Sequence, residues 1–146
     1  MTTQLKQKRI LLIEDNPGDI KLFEEAVSAE ELTIVLDIVE DGEAAIEYYD
    51  NLKANDFTNA PSIIISDLNI PKINGLDVIK KFKSDPIFKI IPIIVLSTSN
   101  LDSDIKECYS AHVNSFLVKP IGIDEFFNLV KLIDEFWLRT CHLASI

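Results

Sequence analysis

Five short apolar runs alternate along this chain with stretches whose apolar residues recur at helical spacing. The runs are Arg9–Ile13, Thr33–Val39, Ile63–Asp67, Ile91–Leu96 and Ser115–Val118. The third, Ile-Ile-Ile-Ser-Asp, has no polar alternation until its end, which is the pattern of a strand buried on both faces. Strands that alternate with helices must connect by crossovers, and their sheet is then parallel and covered on both sides. Crossovers are right-handed, which leaves few arrangements. At 146 residues the expected architecture is α/β, a flavodoxin-like doubly wound sheet with strand order 2-1-3-4-5.

Turn and capping chemistry sets the helices between the runs. Asn16 reads as an N-cap, with Pro17 at the first helical position, Asp19 in the first turn, and Ile20, Phe23 and Val27 facing inward. Asp41-Gly42 reads as a turn, followed by a helix that buries Ala45, Ile46 and Tyr49. Lys53 to Pro61 reads as a polar loop. The next helix starts near Asn74-Gly75, carries Val78, Ile79 and Phe82 inward, and breaks at Ser84-Asp85-Pro86. Pro92 is tolerated near the start of the fourth strand. Asp102 to Ala111 is a weaker helix.

A last helix is expected from Asp124 to Thr140, burying Phe126, Val130, Ile133 and Trp137, with Leu129, Leu132 and Phe136 as a second apolar edge. That edge serves either as ordinary core or as a dimer seam. Residues 1–146 are expected to form a single domain with a core of about 8–137, a short C-terminal extension of the last helix and no output domain. There is no linker, repeat or low-complexity segment.

Charge and cysteine use narrow the function classes. The net charge of -10 argues against unaided binding to nucleic acid or to an anionic membrane. Cys108 and Cys141 form no metal-type spacing and read as reduced thiols of a cytoplasmic protein. The apolar run near the start is too short for a signal peptide or a membrane span.

Parallel sheets take their ligands outside the carboxyl ends of the strands, at the point where strand order reverses. In the order 2-1-3-4-5 that point lies between the first and third strands. Glu14 and Asp15 follow the first strand and Asp67 ends the third. Three acids brought together repel one another unless a cation sits between them. Mg2+ suits such a site, since it takes hard oxygen ligands and keeps several waters. Asp15, Asp67 and a backbone carbonyl just after Asp67 could ligate it, with Glu14 acting through a water.

Ser97 and Lys119 follow the fourth and fifth strands and face the same crevice. Phosphoryl transfer needs this set of groups, because its transition state spreads charge over peripheral oxygens that must be held and neutralised. Asp67 would then be a nucleophile that forms an acyl phosphate.

The motifs Ile-Glu14-Asp15-Asn, Asp67-Leu-Asn-Ile-Pro71 with Gly75 downstream, Val-Leu-Ser97 and Phe116-Leu-Val-Lys119-Pro120 occur in this order. Together they resemble a response-regulator receiver domain of the CheY type, over about Lys8 to Trp137. The resemblance implies that Asp67 accepts phosphoryl from a phosphohistidine on a sensor histidine kinase. It implies that Glu14 and Asp15 form the acidic metal pocket and that the Asn69 carbonyl is a ligand. It makes Ser97 the switch hydroxyl, Phe116 the switch aromatic and Lys119 the phosphate-binding lysine.

The family's Lys-Pro bond is typically cis, which implies a cis bond at Lys119-Pro120. Glu14 and Ser97 depart from the commoner Asp and Thr but keep the needed oxygens, so rates should differ and the chemistry should persist. The stretches Tyr109–Asn114 and Phe126–Trp137 are similar to the stand-alone regulators that pair with bacterial phytochromes. Those often dimerise through the fourth and fifth helices, which implies a homodimer here.

Signalling by a phosphorylation-dependent protein surface is therefore the leading reading, with a downstream protein target or a phosphotransfer protein reading it. No enzymatic activity is expected beyond self-phosphorylation from a donor and self-dephosphorylation. A phosphatase of the haloacid-dehalogenase type would want an Asp-x-Asp pair at the first strand end, whereas here Asn69 stands two residues after Asp67. A phosphorylation-independent interaction module would be favoured by a missing acid or lysine, and none is missing. No glycine-rich nucleotide motif is present. His112 and His142 read as structural or exposed, and Ser99 and Asn100 as a solvated loop.

Overall fold

The computed structural model describes residues 7–29 and 33–146. Five strands, β1 (Lys8–Ile13), β2 (Ile34–Val39), β3 (Ile63–Ser66), β4 (Ile93–Ser97) and β5 (Ser115–Val118), pair in parallel in the order β2-β1-β3-β4-β5. The helices are α1 (Pro17–Ala29), α2 (Gly42–Ala54), α3 (Gly75–Ser84), α4 (Asp102–Ser110) and α5 (Ile123–Ile133). The expected flavodoxin-like topology is the one observed.

Strand residues point alternately to the two faces, and each face builds its own core. Leu11, Ile13, Ile64, Ile93 and Val95 pack with Tyr49 of α2, Val78 and Phe82 of α3 and Cys108 of α4. Ile10, Leu12, Ile63, Ile65, Ile94 and Leu96 pack with Phe23 and Val27 of α1 and with Phe126 and Val130 of α5. The three isoleucines of β3 are all fully buried, as a central strand covered on both sides requires.

Several boundaries shift for local reasons. β4 pairs only from Ile93, because the Ile91 N–H closes a 3-10 turn (Phe88–Ile90) on the Phe88 carbonyl and Pro92 has no N–H. The expected polar loop after α2 begins only beyond Ala54, and it buries Phe57 and Pro61. Asp56 and Phe57 take positive φ, and the Phe57 ring enters an aromatic cluster with Tyr49, Phe82 and Phe88. Asp85, expected only as a helix breaker, is buried. Its Oδ1 accepts the Ile87 and Phe88 N–H groups and its Oδ2 accepts the Tyr49 hydroxyl.

The last helix is corrected in its register. After Ile133 the chain continues as a π-helical stretch, Asp134–Thr140, whose wider turn delays the inward position by one residue. Leu138 is therefore buried where Trp137 was expected, and Trp137 is only half-buried, edge-on to Phe136. Leu132 and Phe136 are 58% and 50% exposed and face outward, whereas Leu129 of the same expected edge packs half-buried against the core. Among the described residues there is no cis peptide bond, so Lys119-Pro120 is trans. An X-Pro amide keeps a modest intrinsic trans preference.

Candidate functional site

Backbone pairing carries the site residues just past the strands. The Glu14 N–H bonds the Val39 carbonyl, the Asp67 N–H bonds the Ile13 carbonyl, and the Lys119 N–H bonds the Ser97 carbonyl at 2.7 Å. The sheet ladder thus extends one residue beyond β1, β3 and β5 and fixes where each side chain starts. Two glycines hold the loop between β3 and α3. The Gly75 N–H bonds the Leu68 carbonyl, and a Cβ on Gly75 would lie 2.4 Å from the Asp67 carbonyl oxygen. The Gly42 N–H bonds the Pro71 carbonyl, and a Cβ there would lie 2.0 Å from the Ile73 oxygen. Neither approach admits a side chain.

Lys119 is the centre of the polar contacts. Its ammonium, on a side chain 6% exposed, donates to Glu14 Oε2 at 2.7 Å, Asp67 Oδ2 at 2.8 Å and Asp19 Oδ2 at 2.8 Å. Burial alone would push the Lys119 pKa down, but its bonds to Asp19, Asp67 and Glu14 outweigh that and hold it above the ordinary lysine value. Burial pushes the Glu14 carboxyl up, aided by the nearby Asp67 charge and opposed by the Lys119 and Asn16 hydrogen bonds, with a net rise. The other oxygen of Glu14 accepts the Asn16 N–H at 3.1 Å. Asp67 Oδ1 accepts the N–H groups of Leu68 at 2.6 Å and Asn69 at 3.2 Å.

Glu14, Asp15 and Asp67 bring a carboxylate oxygen each within 4.8 Å of one another, a set of hard donors that could hold a divalent cation. Three carboxylates converge on one ammonium and Asp15 stands beside two of them, and the surplus negative charge favours a cation. Every acid expected at the site is there. Asn69 is exposed beside Asp67.

Ser97 is fully buried at the end of β4, opposite Val118, and its Oγ accepts the Ser99 N–H at 3.2 Å. Phe116 lies opposite Val95, half-buried against the α2–α3–α4 core. The outward N–H of Phe116 on this edge strand donates to the Tyr109 hydroxyl of α4 at 3.1 Å.

Two participants were not expected. Asp19 was read only as a helix-start acid, and its position one turn past the Glu14-Asp15 pair was the available signal. Tyr109 enters the sequence reading only as the start of a stretch similar to the stand-alone regulators, and nothing there signals its contact, which depends on how α4 packs beside β5. Trp137 lines an apolar groove of about 520 Å3 beside Asn114 and Ser115, at the opposite end of β5 from Lys119.

Residues 10–131 match the response regulator receiver domain. Response regulator Rcp1 of Synechocystis sp. is 35% identical over 138 residues, covering 94% of this chain and 94% of its own. The phosphorylated cyanobacterial phytochrome response regulator RcpA superposes with a TM-score of 0.86 at 41% identity, over 95% of this chain and 99% of its own. The Mn2+-bound form of Rcp1 superposes with a TM-score of 0.86 at 35% identity, over 94% of this chain and 99% of its own. Sequence match, strand order and strand-end acids agree: the chain belongs to the response regulator receiver domain family of two-component signalling proteins.

Proposed function

We propose that Asp67 accepts a phosphoryl group from a sensor histidine kinase of the phytochrome type and that the protein reports this on its α4–β5 surface. The observation that carries the reading is the placement of the Asp67 carboxylate. One oxygen is held by Lys119, the other by backbone N–H groups, and two further acids stand alongside. The likeness to RcpA and Rcp1 supports the phytochrome-type partner. The site residues fit Mg2+ by donor type: Asp15, Asp67 and the Asn69 backbone carbonyl would hold it, with Glu14 through a water. When bound it supplies neutralisation of a phosphoryl oxygen.

The remaining work falls to this chain's own groups. An Asp67 oxygen attacks phosphorus as the bond to the kinase histidine breaks, and the histidine keeps the electron pair. Lys119 offers its ammonium to the transferred group from the Oδ2 side. Ser97 accepts a hydrogen bond in the unphosphorylated protein and still has a proton to donate to a phosphoryl oxygen. Drawing Ser97 and Lys119 inward acts on the ends of β4 and β5. Phe116 and its bond to Tyr109 then pass the bias to α4, as a shift between two populations. Release of the group by water returns the protein to its resting state.

No described helix is long and apolar enough to cross a membrane, and we place the protein in the cytoplasm, where the kinase histidine is presented. The outward edge of Leu132 and Phe136 would be covered by a second copy, and a downstream protein or phosphotransfer partner would read the phosphorylated form. The test is incubation with acetyl phosphate and Mg2+ followed by intact mass. A single phosphoryl adduct that vanishes with chelator and in Asp67→Asn is expected. No adduct, or one that survives Asp67→Asn, would overturn the assignment.

A further inference from the structure

Lys119 has three N–H donors and spends all three on carboxylates, Glu14, Asp19 and Asp67. These partners are not equivalent. Glu14 and Asp67 belong to the cluster whose oxygens lie within 4.8 Å of one another with Asp15, so a divalent cation competes with Lys119 for both. Asp19 is outside that cluster. It comes from the first turn of α1, 100 residues from Lys119, and its side chain is 27% exposed.

When a cation draws on Glu14 and a phosphoryl group replaces the free Asp67 oxygen, Asp19 is the carboxylate left to hold the ammonium. Of the three carboxylates that hold it, only Asp19 could then keep a flexible four-carbon side chain aimed at Asp67. The local structure suits this role. Asn16 Oδ1 accepts the Gly18 N–H at 2.9 Å and the Asp19 N–H at 3.1 Å. The cap fixes the start of α1 and with it the Asp19 backbone, so the carboxylate is delivered by a rigid element.

We propose that Asp19 is a positioning residue for phosphoryl acceptance: it anchors Lys119 independently of the cation, so that one ammonium N–H stays directed at Asp67 while the cation occupies its neighbours. This rests on the reading of Asp67 as phosphoacceptor. It makes the α1 acid a working part of the site rather than a helix-start residue.

The experiment compares wild type, Asp19→Ala, Asp19→Asn and Asp19→Glu in three measurements. These are the rate of phosphorylation by acetyl phosphate at saturating Mg2+, the Mg2+ dissociation constant by calorimetry, and the side-chain ammonium resonance of Lys119 in Mg2+-loaded protein. Asp19→Ala is expected to slow phosphorylation about tenfold, the equivalent of one charge-assisted hydrogen bond. Asp19→Asn, which keeps a neutral acceptor, should lose roughly half of that on a logarithmic scale, and Asp19→Glu should recover most of the rate. The Mg2+ dissociation constant should move less than about threefold, because Asp19 touches the lysine and not the cation's donors. The ammonium signal should be sharp in wild type and exchange-broadened in Asp19→Ala.

Wild-type rates together with an unbroadened ammonium in Asp19→Ala would overturn the proposal. So would a rate loss matched by an equal loss of Mg2+ affinity, which would place Asp19 on the cation instead. Failure of wild type to be phosphorylated would overturn the Asp67 assignment alone, since the ammonium resonance tests the Asp19 anchor without any phosphoryl donor.

Discussion

Asp85 shows how a single buried acid ties the connection between α3 and β4 to α2. Burial by itself would raise its pKa, but the Tyr49 hydroxyl, the Phe88 and Ile87 N–H groups and Lys53 outweigh this and hold it below the ordinary carboxylate value. Its partner Tyr49 is pushed up to about 12, first by burial and then by the bond to Asp85. A depressed folded-state pKa stabilises the protein above the unfolded carboxyl's pKa, and that contribution disappears as pH falls through the folded value. Asp85→Asn is therefore expected to cost about 2 kcal/mol at neutral pH. It should also flatten the acid limb of stability, measured by urea unfolding between acid and neutral pH.

At this scale the sequence was most legible where chemistry sits at strand ends. Glu14, Asp15, Asp67, Ser97 and Lys119 each follow an apolar run, and all five stand at the carboxyl end of the sheet. Asp19 and Asp85 were read for local turn chemistry alone. Their partners, Lys119 and Tyr49, are far away in the chain, and only the folded arrangement reveals them.

The elements follow the same division between local and distant causes. Helix starts were readable because caps are local: Asn16 caps α1, Asn74 caps α3, and Asp41 caps α2 through the Ala44 N–H at 2.7 Å. The strand order followed from crossover handedness and chain length. The π-helical stretch after α5 was not readable, because a wider turn leaves composition unchanged and only moves the buried position from Trp137 to Leu138. Nor was the role of Gly42, which a turn-forming Asp-Gly pair disguises. The start of α2 is pressed against the loop after β3 at this residue, with no room for a Cβ beside the Ile73 carbonyl. Gly42→Ala should therefore destabilise the fold by about 1–3 kcal/mol through overpacking. Because the same loop leads back to Asp67, chemical denaturation should show this loss together with weaker Mg2+ binding by calorimetry.

Among the described residues an acidic crevice stands at the carboxyl end of the sheet and an apolar edge lies elsewhere. Leu132, Phe136 and Trp137 flank a groove beside the outer strand β5, on an exposed surface that a lone monomer would leave wet. If a second copy covers it, Leu132→Glu with Phe136→Glu should turn a dimer into a monomer in sedimentation velocity while phosphorylation by acetyl phosphate is retained. The central claim joins the crevice to the surface: phosphorylation at Asp67 must be felt at Tyr109 and Phe116. The measurement that tests it most directly is the amide NMR spectrum of 15N-labelled protein with and without acetyl phosphate and Mg2+, in wild type and in Asp67→Asn. Shifts at Ser97 and Lys119 that extend to Phe116, Tyr109 and the rest of α4, and that are absent in Asp67→Asn, are the expected result. Shifts confined to the loops around Asp67, or the same distant shifts in Asp67→Asn, would contradict it.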